Sequence, residues 1–186
     1  GPGARQAKGW QLSLKPAVKQ QLSDYKVVIW ATDDVAPVAG DVSTRALGIG
    51  AELEAAGATV SYTARPDFDV VVAHENYQTL LNSAMTSGMG PEEVARMQHR
   101  ADSLDNNDRS HEALITRAAV LSHRDWIRAN GRREKLRAAW DEFFEEWDIV
   151  VCPQMATTAF VHDHQPFGQR TVTVDQAQRP YFEQLF

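Results

Sequence analysis

One cysteine stands among the 186 residues. Cys152 therefore has no partner for an internal disulfide and no companions for a cysteine-based zinc site, and this usage fits a reducing, cytoplasmic compartment. A basic excess is also lacking: 19 Lys and Arg stand against 25 Asp and Glu, a net charge of −6. That balance excludes the electrostatic footprint of a nucleic-acid binder. No apolar run approaches the roughly 18 residues of a membrane span, and the opening residues have no signal-peptide apolar core, so no membrane partner is expected. Internal repeats and low-complexity tracts are missing too. What remains is an ordinary globular composition, 43% apolar and 24% charged, sufficient for one packed core.

The run KVVIW, residues 26–30, has three β-branched members and is bounded by polar and proline-containing segments, which predicts a buried strand. Val42, Ala46, Ile49, Leu53 and Ala56 then recur at helical steps, with Gly57 placed to terminate the helix. Gly48 and Gly50 weaken that helix, so packing must hold it. Residues 58–63, ATVSYT, form a second strand, and strand, helix and strand make a parallel βαβ unit. Between Val70 and Asp148 the pattern is helical. Tyr77, Leu80, Leu81 and Ala84 share one face, Pro91 suits the first position of a further helix, and Leu136, Ala139, Trp140, Phe143, Phe144 and Trp147 mark a core-facing stripe. Residues 149–152, IVVC, give a third strand closed by Pro153. Residues 154–180 read as loop, and Arg179 to Phe186 as the start of another helix.

Candidate chemistry is sparse. The loop after the first strand, ATDDVAP, contains no glycine, so neither a dinucleotide fingerprint nor a P-loop can be drawn. Asp33 and Asp34 resemble the acidic pair of a phospho-receiver, but the later strand ends in Val151, Cys152 and Pro153 without an acceptor Asp. They read as loop charges near a helix N-terminus. His162 and His164 flank Asp163, yet a metal site needs a third and usually a fourth ligand, so ordinary loop residues are the reading. Cys152 lies in an apolar run and reads as a buried, inert thiol. Ser83, Thr86, Ser87, Thr157 and Thr158 fall in no nucleophile motif. Arg124, Arg128 and Arg132 form a basic stripe, with Asp141, Glu142, Glu145 and Glu146 as its acidic complement on a solvated helix.

Three stretches together resemble the C-terminal half of an amidase signature family enzyme. They are WQLSLKPAVKQQLSDYKVVIW with its ELEAAGATV unit, RPDFD…HENYQTLLNSAMTS, and SHRDWIRANGRREKLRAAWDEFFEEWDIVVCPQMATTAFVHDHQPFGQRTVTVDQAQRPYFEQLF. The resemblance runs from about Trp10 to Phe186. It implies hydrolysis of carboxylic amides by a Ser, cis-Ser, Lys triad, with no metal or organic cofactor. The Gly- and Ser-rich signature that bears the nucleophile, and the Lys ahead of it, do not occur in these residues, so no catalytic residue is carried over. Without the nucleophile no acyl intermediate can form. The family's segment after the D-I-V-V-C-P strand approaches the substrate, which makes Pro153, Gln154, Met155, Thr157 and Thr158 the expected pocket lining.

The fold expected is α/β: a small, mainly parallel sheet of a βαβ unit plus a third strand, with a large helical block between strands two and three. Residues 1–186 are expected to form a single domain, with 1–9 an expression scar or disordered lead-in. The function expected is that of an excised amidase segment, inactive alone. Its partners would be the missing amidase half or a second copy, and its substrate in the parent a small amide. The rival is a stand-alone, non-catalytic α/β binding module. Catalysis by Cys152 or by the His162 and His164 pair is a third, weaker reading.

Overall fold

The computed structural model describes residues 3–10, 12–14, 16 and 18–181. Strand β1 (Lys26–Ile29) sits at the centre of a parallel sheet in the order β2 (Thr59–Ser61), β1, β3 (Ile149–Val151). Val27 pairs with Val60 on one side and Ile149 on the other. A middle strand has both faces covered, which is why Val27, Val28 and Ile29 form an unbroken apolar run, all three buried. The outer strands are shorter and less buried, as sheet edges tend to be. The fold is α/β as expected, with the helical block between β2 and β3.

Helix α1 (Gly40–Ala55) connects β1 to β2 and packs on both. Its C-terminus is a Schellman motif: Ala58 N–H donates to Leu53 O at 3.0 Å and Gly57 N–H to Glu54 O at 2.9 Å. Gly57 has a φ of +92°, the left-handed conformation that motif demands. Gly50 has a different reason. A Cβ there would lie 2.9 Å from Ile29 Cγ1 and 2.7 Å from the Tyr62 hydroxyl, so a glycine lets α1 approach the sheet. The core beneath it is Val27, Ile29, Ala31 and Ala46, with Leu53, Tyr62 and Val151 packed around.

The helical block comprises α2 (Val70–Met85), α3 (Pro91–Asp102), α4 (His111–Ala119) and α5 (His123–Glu146). Side-chain caps start three of them: Asp69 accepts from Val72 N–H, Ser110 from Ala113 N–H and Ser122 from Asp125 N–H. Pro91 takes the first helical position of α3. Helix α2 packs on α4 and α5, and the buried alanines Ala113, Ala118 and Ala129 let backbones come close.

Four expectations are corrected here. The buried positions of α2 are Asn76 and Gln78, while Tyr77 and Ala84 are exposed. Helices α4 and α5 both pack on α2, and Asn76 is stabilised by Arg132 Nε donating to its Oδ1 at 2.9 Å. The stripe on α5 buries only Phe143 fully, with Phe144 exposed on the outside of the aromatic row. The arginines of α5 pair with nearer acids than expected, Arg128 with Asp125 and both Arg133 and Arg137 with Glu134. Residues 171–180, read as loop and incipient helix, form an antiparallel hairpin, β4 (Thr171–Val174) and β5 (Ala177–Pro180). Arg179 and Pro180 thus lie in a strand; the rest of the expected helix, 182–186, lies outside the described residues.

Candidate functional site

In an open parallel sheet the natural ligand site is the crevice beyond the strands' C-terminal ends, at the point where strand order reverses. Here that point lies between β1 and β3. The chain leaves β1 toward β2 on one side, while β3 joins on the other. A cleft of about 380 Å³ occupies this place. The loop after β1 contributes Trp30, Asp33 and Val38; the segment after β3 contributes Pro153, Gln154 and Met155; Val70 of α2 and Trp140 of α5 complete the wall.

The first loop is held by its own residues. Asp33 accepts from Trp30 Nε1–H at 3.1 Å and from Val35 N–H at 3.0 Å, so one carboxylate fixes both the indole and the turn. The Arg65 guanidinium lies 4.4 Å from the Trp30 ring centroid, a cation–π contact. Arg65 also donates to the carbonyl of Ala64 at 2.7 Å. Partial burial holds Arg65 below the ordinary arginine value, and the Asp33 charge works against that shift.

The second loop is held from outside. Ala39 N–H donates to Ala156 O at 2.7 Å and Trp30 N–H to Val151 O at 2.9 Å, tying the two loops together. The hairpin then clamps this junction. Asp175, at its turn with a φ of 53°, accepts from Gly40 N–H at 2.9 Å and so caps the N-terminus of α1, whose own cap residue Ala39 has no side-chain acceptor. Val172 and Val174 pack with Ala39 and Ala156 in a second small core.

Of the residues singled out from the sequence, Asp33, Cys152, Pro153, Gln154 and Met155 line the cleft. Thr158 borders a smaller hollow of about 270 Å³ against α1, shared with Cys152 and Pro153, and Thr157 lines neither. Cys152 is exposed, not buried: it is the residue just past β3, where the sheet no longer covers it. Helix α1 begins at Gly40, so Asp33 and Asp34 are loop residues ahead of it, and Asp33 is an organiser of the cleft. The His162 and His164 rings are 6.2 Å apart, and among the described residues no group of three His, Cys, Asp or Glu able to hold a metal exists. Thr86 and Ser87 direct their hydroxyls to carbonyls at the end of α2. Sequence reasoning missed Trp30, Asp33, Val70 and Trp140 as wall residues. Trp30 could have been found as the residue ending the first strand at a switch point; nothing local marks the others.

The arrangement is a concave surface: two held indoles, a mostly apolar wall that also carries Thr32, Cys152 and Gln154, and one engaged carboxylate. Among the described residues no helix is long and apolar enough to cross a membrane. The sequence model of the family described as Amidase matches residues 5–178. No curated protein matches the chain.

Proposed function

The chain belongs to the amidase family, and we propose on that footing that it supplies the substrate-facing wall of an enzyme hydrolysing carboxylic amide C–N bonds. The observation that carries this reading is the cleft at the C-terminal ends of β1 and β3, where Pro153, Gln154 and Met155 lie opposite Trp30. The chain on its own is inactive. Its 186 residues contain no Gly- and Ser-rich signature, and among the described residues the cleft lining, which includes the Cys152 thiol and the Thr32 hydroxyl, holds no histidine or lysine to activate either.

The partner is the nucleophile-bearing half of the family fold, or in its absence a second copy. The outer edge of β3 and its exposed Ile149 support such a contact. The exposed free thiol of Cys152 favours a reducing, cytoplasmic setting. The test is ammonia release from benzamide and acetamide by the purified chain, with Cys152→Ala as control. No turnover above the uncatalysed rate is expected, and turnover abolished by Cys152→Ala overturns the claim of inactivity.

A further inference from the structure

Both indoles of the cleft are held by neighbouring side chains, most of which lie outside its lining. Arg65, which does not line the cleft, covers the Trp30 ring at 4.4 Å, and Asp33 holds its Nε1–H. Trp140 stacks on Phe144 at 5.5 Å and 21°, meets Phe143 edge-on at 5.6 Å and 85°, and lies 5.8 Å from Phe68. None of these three phenylalanines lines the cleft. Walls immobilised by partners behind them lose little freedom when a ligand arrives, which favours a ligand of matching shape.

The chemistry of the wall narrows the ligand further. Around the indoles it is mostly apolar, with Val38, Val70, Pro153 and Met155 beside the uncharged polar groups of Thr32, Cys152 and Gln154. Among the described residues its only charged lining group is Asp33, whose two oxygens already accept from Trp30 and Val35 and whose charge is countered by Arg65. A ligand carboxylate would give up its water to meet another carboxylate. An ammonium would find that carboxylate engaged. A flat apolar group, by contrast, gains burial against both indoles, in the offset or edge-on contacts that rings prefer. Size agrees: a cavity of roughly 150 Å³ suffices for benzene, and this cleft of about 380 Å³ takes a ring with its amide attached.

We propose that the cleft takes an uncharged aromatic ring carried by the amide substrate, an inference that rests on the substrate-facing role assigned above. The experiment is a titration of the full ¹⁵N-labelled chain with benzamide, acetamide and benzoate, reading the indole Nε1–H resonances. Trp10, Trp126 and Trp147, outside this cleft, are internal controls. Benzamide is expected to shift Trp30 and Trp140 saturably, with an affinity roughly tenfold above that for acetamide or benzoate. Met155→Trp, which fills the cleft, should abolish the shifts, with Val38→Phe as the second filling variant if the first does not fold. Acetamide or benzoate binding as tightly as benzamide overturns the aromatic assignment and leaves the cleft as a substrate wall. If no amide moves either indole in the folded chain, both the assignment and the substrate-facing role are overturned.

Discussion

Asp148 shows how much one side chain can join. It lies just before β3, where its carboxylate accepts from the Lys26 backbone N–H at 2.8 Å and pairs with the Lys19 ammonium. It thereby ties the approach to β1 to the start of β3. These bonds, that with Lys19 first and that with Lys26 second, hold the Asp148 carboxyl below its ordinary value. A depressed carboxyl contributes stability that is fully present above its unfolded value of about 3.9 and is lost as pH falls through the folded value. Asp148→Asn should therefore lower the Tm at neutral pH, and the gap to the parent chain should close as pH drops below about 4. Thermal unfolding across pH 2 to 7 checks this. A gap that stays constant at the acid end would show that the carboxylate's charge is not what stabilises the junction.

Within α1 two glycines of one helix are expected to behave oppositely, because their surroundings differ. At Gly48 an added Cβ meets only Arg45 Nη1 at 3.9 Å, an ordinary contact. Gly48→Ala should then raise stability by about 0.5–1 kcal/mol through helix propensity alone. At Gly50 the same propensity gain is opposed by overlap with Ile29, a buried residue that cannot withdraw. Overpacking of that kind costs about 1–3 kcal/mol, so Gly50→Ala should lose about 1–2 kcal/mol net. Urea denaturation of the two variants decides it, and equal effects would mean that α1 does not approach the sheet as closely as described.

The same elements show what the sequence makes legible. Strands β1 and β3, the C-terminal end of α1 and the proline-led α3 are written in local signals: a buried apolar run, a glycine that must be left-handed, a proline at a helix start. The hairpin is not. Its turn uses Asp175 and Gln176 without a glycine, and β5 reads Ala-Gln-Arg-Pro, polar and proline-ended. Only the Thr-Val-Thr-Val alternation of β4 hints at it. The buried face of α2 escaped for another reason. Helices α4 and α5 pack on α2, where Asn76 and Gln78 are buried, and Asn76 is satisfied by Arg132, a partner that no local window contains, while Gln78 accepts from Asn82 within the helix. The cleft escaped in part for a similar reason. Pro153, Gln154 and Met155 came from a resemblance, while Trp30 and Trp140 meet only because β1 and α5 are brought together by the whole topology.

At the scale of the molecule, the parallel sheet places its switch point under the cleft, the helical block supplies Val70 and Trp140, and the hairpin secures the loop after β3. Each part of the fold thus contributes to one concave surface, and the proposed function leaves the nucleophile that amide hydrolysis needs to the other half of the family fold. The measurement that bears most directly on this division of labour is ammonia release from benzamide by the chain mixed with a Gly/Ser-signature and Lys-bearing half from another member of the family. The account predicts turnover only when both are present, and its loss when Met155→Trp fills the cleft. Turnover in the mixture that is indifferent to Met155→Trp would contradict it.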